Sequence, residues 1–364
     1  AVAVLAGAGT SEVKAADKAK IGVLVADVSG EEAQGFRSYY ENYIAGNYDV
    51  EFNYTDALQS AEDEKTAIEK FASQGCQAII SFSSNDRVQQ IETCEKYGVY
   101  YAVASGVLDD AQYETYKTYE YFAGQVGPGN DTEFEAGKDM GAYYKEQGVS
   151  KVAIYGAFIP NPMHVYRVAG VLNGLGCTYG GESDMNAIAG QIFQDQTVDL
   201  SKVEGDVEVV SYLQGYGDTT TDELNAAIQK TPDAFISVGM ATTFFAQSLS
   251  EAGISFSDID SFTETNGNSM KNGTLTYLAG KYSSSIGPVF ALVMNAINGN
   301  VIRDEDGNAP SISQGYLVAT DSDTFDKYSV SDSGDAPIYD KETLDSIIGD
   351  NVTFEDVKTL VESK

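Results

Sequence analysis

Ile21-Gly-Val-Leu-Val-Ala26 is an unbroken apolar run near the start of the chain. A strand with one wet face alternates polar and apolar residues. A run with no polar position belongs to a strand covered on both faces, as in a parallel sheet between two helix layers. The segment after it has a helical period: across 31–44, Phe36, Tyr39, Tyr40 and Tyr43 recur at three- and four-residue spacing. Strand patterns at 50–54, 77–81 and 99–104 then alternate with helical ones at 60–73 and 86–96, Ser60 standing where an N-cap belongs. This is repeated βαβ, whose crossovers are nearly always right-handed.

A strand-like run at 119–126 ends at Gly127-Pro128-Gly129, and the alternation starts afresh. Helical patterns at 131–147, 163–175, 221–229 and 242–252 are interleaved with strands at 151–155, 207–213 and 235–238. Gly75-Cys-Gln-Ala-Ile-Ile-Ser81 is echoed by Thr231-Pro-Asp-Ala-Phe-Ile-Ser237, each after an amphipathic helix. A length of 364 residues is too great for one small core and comfortable for two lobes. The expected fold class is α/β, with two doubly wound, Rossmann-like parallel-sheet lobes. Beyond them come a helix at 289–298, a turn-rich acidic loop at 303–308 and a strand at 315–319. Helical patterns at 341–348 and 355–362 are expected to pack on the outside.

Composition narrows the function. Lysine and arginine number 22 against 55 acidic residues, a net charge of −33. Such a surface repels phosphate backbones, so nucleic acid is not an expected partner. The charge says nothing of a pocket, where one arginine outweighs the distant field. Cys76, Cys94 and Cys177 are odd in number and lack CxxC spacing, which fits small core residues rather than a disulfide framework or a zinc site. One disulfide stays open at this point. Ala1 to Gly9 is apolar, made of small residues and too short to span a bilayer. It reads as the tail of a secretory signal followed by a linker, and implies export. Leu5-Ala6-Gly7 resembles the approach to a lipoprotein cleavage site, but Ala8 stands where the lipid-bearing cysteine would be.

Signatures of catalysis are missing. His164 is the one histidine, and there is no G-x-S-x-G elbow, Walker loop or H-E-x-x-H motif. The turn Asp27-Val-Ser-Gly30 lacks the glycine cradle of a dinucleotide site. Neither an enzyme, a cofactor nor a metal is expected, although carboxylate pairs for glycoside hydrolysis are not excluded by counting. Ligands of open parallel sheets bind beyond the carboxyl ends of the strands. Those positions hold Asp27 and Ser29; Ser81, Phe82, Ser83 and Asn85; Ser105; His164 and Arg167; and Thr242. Phe36 and Phe82 are placed to cover a ligand, whereas Tyr155, Phe158 and Tyr166 read as core. Hydroxyls, amides and carboxylates beside aromatic faces suit a polyol.

Residues 20–319 resemble the type 1 periplasmic binding proteins, the ribose- and galactose-binding class that serves ABC importers. The resemblance rests on Lys20-Ile-Gly-Val-Leu-Val25, Gly75-Cys-Gln-Ala-Ile-Ile-Ser81, Arg167-Val-Ala-Gly170, Lys271-Asn-Gly-Thr-Leu275 and Ile286-Gly287, in that order. It implies lobes of 20–124 plus 282–312 and of 125–281 plus 313–320, joined by a multi-strand hinge. Residues 1–19 are then a signal remnant and linker, and 321–364 an extension. It further implies a monomer, outside the cytoplasm or on the outer face of the membrane, that hands its ligand to a permease. Arg167 falls where that family has an arginine forked onto ligand hydroxyls. Glu264 and Lys281 stand where an aspartate and a glutamine are usual, and Gly239-Met240 where Asn-Asp is usual. These departures leave open another sugar, a nucleoside or a furanone-like signal, and a sensing role in place of transport.

Overall fold

A computed structural model of the chain describes residues 18–332 and 336–364. The expectations for residues 1–17, the signal remnant and the Ala8 position, lie outside the described residues. The run read first becomes β1 (Ala19–Val25), an interior strand of a sheet with β2 (Val50–Ala57), β3 (Ala78–Ser81), β4 (Tyr100–Ala104) and β5 (Phe122–Gly127). A second sheet contains β6 (Lys151–Tyr155), and a small antiparallel ribbon pairs β7 (Thr178–Tyr179) with β8 (Val203–Glu204). The second sheet continues with β9 (Glu208–Leu213), β10 (Ala234–Ser237), β11 (Ser255–Ser261) and β12 (Leu275–Lys281). Two short strands complete the edges: β13 (Ser311–Ser313) joins the first sheet and β14 (Leu317–Ala319) the second.

The strand orders are β13-β5-β4-β3-β1-β2 and β14-β12-β11-β10-β6-β9. Counted within each lobe, the main strands run fifth-fourth-third-first-second in both, so the second half repeats the first in topology. All neighbours are parallel except β14 against β12. The chain passes between the sheets three times: after Gly127, after Lys281 and between Ser313 and Leu317. The last described segments join existing cores. Leu344, Ile347, Val357 and Val361 are buried against the first lobe, and Phe325 against the second.

Several elements depart from expectation. β11, with the sequence Ser-Phe-Ser-Asp-Ile-Asp-Ser, has too many polar residues to read as a central strand, yet it lies inside the second sheet. Helices Asp110–Tyr116, Met185–Asp195 and Ser322–Asp332 also escaped the pattern reading. All three cysteines are buried and free, so the possible disulfide is not formed.

One packing feature positions the site. Helices Asn130–Glu146 and Pro162–Gly174 touch backbone to backbone through Gly137, Gly141, Gly170 and Gly174. A Cβ at Gly170 would lie 2.0 Å from the carbonyl oxygen of Phe134, and one at Gly137 2.0 Å from that of Arg167. Only glycine permits so close a crossing, because interaxial distance is set by the side chains at the contact.

Candidate functional site

Strained backbone collects at the tips of the strands. Ser105 (φ 55°), Ala157 (φ 49°) and Met240 (φ 68°) are left-handed without being glycine, and follow β4, β6 and β10. That conformation costs of order 1–3 kcal/mol per residue and concentrates where a loop is held for function. The echoed segments are β3 and β10, and they end in the same turn. Ser81 Oγ accepts the N–H of Ser83 and donates to its carbonyl; Ser237 Oγ does the same for Gly239. A buried carboxylate braces each turn. Glu64 accepts from Ser83 Oγ and from the N–H groups of Asn85 and Asp86. Asp258 accepts the N–H of Thr242 and lies 3.0 Å from the Ser237 hydroxyl, which it shares with the Gly239 carbonyl.

Arg167 lies at the centre of the second lobe's tip, 4% exposed. Its guanidinium is forked onto Glu133, with Nε 2.6 Å from Oε2 and Nη2 3.3 Å from Oε1. Nη1 donates to the carbonyl of Val238 at 2.8 Å, and Nη2 to the hydroxyl of Tyr316 at 2.8 Å. Tyr316 lies in the crossing between β13 and β14 and donates in turn to Glu133 Oε1 at 2.8 Å. Burial opposes the charge on Arg167, but Glu133 outweighs it, and its pKa ends above the ordinary guanidinium value. His164 is one turn away and 6% exposed. Its Nδ1 accepts the N–H of Phe158 at 3.2 Å. Burial, then the Arg167 charge, bring its pKa down to about 4. The ring is therefore neutral at pH 7, and with Nδ1 accepting, the proton sits on Nε2.

Nearer the first lobe a cavity of about 280 Å³ opens between the two sheets. That is just below the roughly 300–1,000 Å³ of drug-sized ligand pockets, and suits something small. Glu31, Glu32 and Phe36 line it from the first lobe, Ser261, Glu264 and Lys281 from the second. Here the lobes touch. Glu31 accepts the Glu264 N–H at 3.0 Å and the Thr265 hydroxyl at 2.5 Å, and Glu32 accepts the Ser261 hydroxyl. Glu31 thereby caps helix Glu264–Lys271 across the cleft, its charge at the positive end of the dipole. Asp260 lies between cavity and centre. Burial raises its pKa, Asn266 donates to it, and Glu32, Lys281 and Arg167 all act on its carboxyl.

The structure brings Phe36, Glu264 and Lys281 together in the cavity and sets His164 beside Arg167. Asp27 and Ser29 are exposed at the end of β1, where Asp27 accepts the Ser29 hydroxyl and the Gly30 N–H. Asn85 is exposed and donates to Glu64, and Ser105 is half-buried. Ser81 and Ser83 are fully buried, with hydroxyls engaged inside their turn. The Thr242 hydroxyl is buried without a partner. Phe36 stacks on Phe82 at 5.4 Å, so that pair is wall more than lid. Phe158, read as core, is 40% exposed, because the chain turns outward after β6. Tyr216, 59% exposed and stacked on Phe244 at 4.1 Å, is an aromatic face the pattern did not single out. Glu31, Glu32, Glu133 and Tyr316 were also missed. For the first two, their place at the start of the helix after β1 was the available signal.

Among the described residues no helix is long and apolar enough to cross a membrane, and no group of three or more His, Cys, Asp or Glu is placed to hold a metal. No family model and no curated protein matches the sequence. Solved structures do match the fold. The arabinose-transporter binding protein of Shewanella sp. ANA-3, bound to L-arabinofuranose, is similar at TM-score 0.59 and 15% identity, over 85% of this chain and 95% of that one. A solute-binding protein of Actinobacillus succinogenes 130z with bound D-allose gives 0.62 and 16%, over 85% and 100%. The myo-inositol-binding protein of Caulobacter gives 0.59 and 14%, over 84% and 95%. At such identities the likeness establishes the fold: two parallel-sheet lobes on a three-strand hinge, as in the type 1 periplasmic binding proteins.

Proposed function

We propose that this chain is an extracytoplasmic solute-binding protein that closes on a small polar ligand, a sugar or similar polyol, and presents it to the permease of an ABC importer. The observation that carries the reading is the meeting of Glu31 and Glu32 with the tip of the second sheet across a small polar cavity. Two bodies on a hinge that meet beside a cavity of ligand size suit capture and release. The lobes in this reading are 20–124 with 282–312 and 125–281 with 313–320. The protein acts as an exported monomer without cofactor, and changes no bond in its ligand.

Supporting the polyol class are the neutral His164, the balanced Arg167–Glu133 pair and the hydroxyl-accepting acids of the cavity. The sugars and inositol in the similar structures point the same way. A nucleoside is the second reading, favoured by the open Tyr216 ring. A thermal-shift screen of L-arabinose, D-allose, myo-inositol, D-galactose and nucleosides tests both. A ligand at about 100 times its Kd adds about 2.7 kcal/mol to native stability. If no compound raises Tm, the polyol and nucleoside readings both fall; product formed on prolonged incubation with glycosides would make it an enzyme.

A further inference from the structure

We infer that Glu133 biases this cleft toward uncharged ligands, by holding the Arg167 charge inside the protein and leaving the donors of Arg167 and His164 without net charge. The inference deepens the proposed function and rests on it for the polyol class alone.

A guanidinium beside the loop that follows a central strand, as Arg167 is beside Val238, would ordinarily attract carboxylates and phosphates, since its fork matches their oxygens two at a time. Here both fork positions are spent. Nε and Nη2 face Glu133, and the Tyr316 hydroxyl closes the third side by accepting from Nη2 and donating to Glu133. Of the five N–H groups, one on Nη1 is left after the bond to Val238. The Nε2 of His164 has no partner among the described residues. Both nitrogens converge on Gly239: a Cβ there would lie 3.5 Å from Nε2 and 3.7 Å from Nη1. Two N–H donors about a glycine make a fork for hydroxyl or ring oxygens. They carry no net charge with which to hold an anion, because Glu133 is 3% exposed and cancels the guanidinium at contact distance. The surrounding groups act in the same direction. Glu31, Glu32 and Glu264 outnumber Lys281 around the cavity.

The test compares wild type, Glu133→Gln and the double variant Glu133→Gln/Arg167→Met. Each is melted with D-galactose, D-allose, L-arabinose and myo-inositol, and with sulfate and D-galacturonate at matched ionic strength. Wild type is expected to respond to a neutral polyol and to neither anion. Glu133→Gln leaves a buried cation without its partner, so its Tm should fall and be restored by sulfate and galacturonate. Anion affinity should exceed that of wild type by on the order of 10- to 100-fold, the worth of one charge-assisted hydrogen bond. The double variant should fold and ignore anions, a difference that a merely structural Glu133 would not produce. A folded Glu133→Gln no more anion-responsive than the double variant overturns the inference. So does wild type that binds galacturonate as tightly as any neutral sugar. Should Glu133→Gln fold only with anion present, folding in sulfate but not in equivalent chloride supports it, and folding in neither overturns it. If wild type binds no panel compound, the polyol reading fails, while the sulfate response of Glu133→Gln still decides the role of Glu133.

Discussion

Replacing Glu31 and Glu32 together by alanine should open the cleft without unfolding either lobe. Three hydrogen bonds cross between the lobes there: two from Glu264 N–H and the Thr265 hydroxyl to Glu31, and one from the Ser261 hydroxyl to Glu32. Sheltered charge-assisted bonds are worth about 1.5–3 kcal/mol each. Glu31, Glu264 and Thr265 are exposed, however, and solvent reduces such contacts to about 0.2–1 kcal/mol. Ser261, 5% exposed, keeps more of its value. The three together come to about 2 kcal/mol, or about 30-fold in the ratio of closed to open forms. Neither glutamate belongs to a hydrophobic core, so the loss should fall on closure and leave the melting of each lobe nearly unchanged.

Small-angle scattering of the ligand-free protein reads this directly, as a larger radius of gyration in the double variant. Raising the salt should move wild type little, because the groups that the two glutamates accept from are an N–H and two hydroxyls, all neutral. Ligand affinity should weaken as well, by up to the same factor because binding must then also supply the closure energy, and further because both glutamates line the cavity. A folded double variant with unchanged scattering and unchanged affinity would show that these contacts do not hold the lobes together.

Two further outcomes test the packing under the site. The folded pKa of His164 is about 4 against 6.5 for the free side chain, so the unfolded chain takes up a proton that the native one refuses. Its stabilisation is whole above pH 6.5 and lost as pH falls to 4, about 3 kcal/mol in all. Asp258 and Asp260 titrate with the opposite sign, because burial raises them and their contribution declines as pH rises. The histidine effect should therefore be read as the difference between wild type and His164→Asn in urea unfolding at pH 7 and pH 4. Gly170→Ala should cost about 3 kcal/mol in the same assay and slacken the Arg167 site, since its methyl meets the Phe134 carbonyl at 2.0 Å. A Gly170→Ala protein as stable as wild type would mean that the two helices can separate freely.

The fold was legible wherever burial left its mark on single segments. β1 is apolar from Ile21 to Val25 because both faces are covered there, and Ser60 caps its helix by accepting the Asp63 N–H, as its position foretold. The echo between 75–81 and 231–237 marked the third strand of each lobe, down to the closing serine turn. β11 stayed hidden for the opposite reason. Its Ser257 and Asp258 are fully buried, and the partners that make this tolerable for Asp258, Ser237 and the Thr242 N–H, come from β10 and the helix after it. No window on a single strand carries that information.

The site was legible in place but not in chemistry. Strand tips were the right places to search, yet a list of polar residues does not reveal which donors are already spent. Ser83 and Asn85 are committed to Glu64, and Arg167 to a carboxylate 34 positions earlier. For the last pair the chain did hold a clue. Gly137 and Gly141 repeat at a helical turn, as do Gly170 and Gly174, and two such stripes ask to face each other. Glu133 stands one turn before Gly137, and Arg167 one turn before Gly170. If the glycines meet, the two side chains must lie on the same seam, at the end nearest the cleft. The arginine that a site reading offers to the ligand is thus, on a packing reading of the same residues, the partner of a glutamate. Ligand charge preference is where the two readings part.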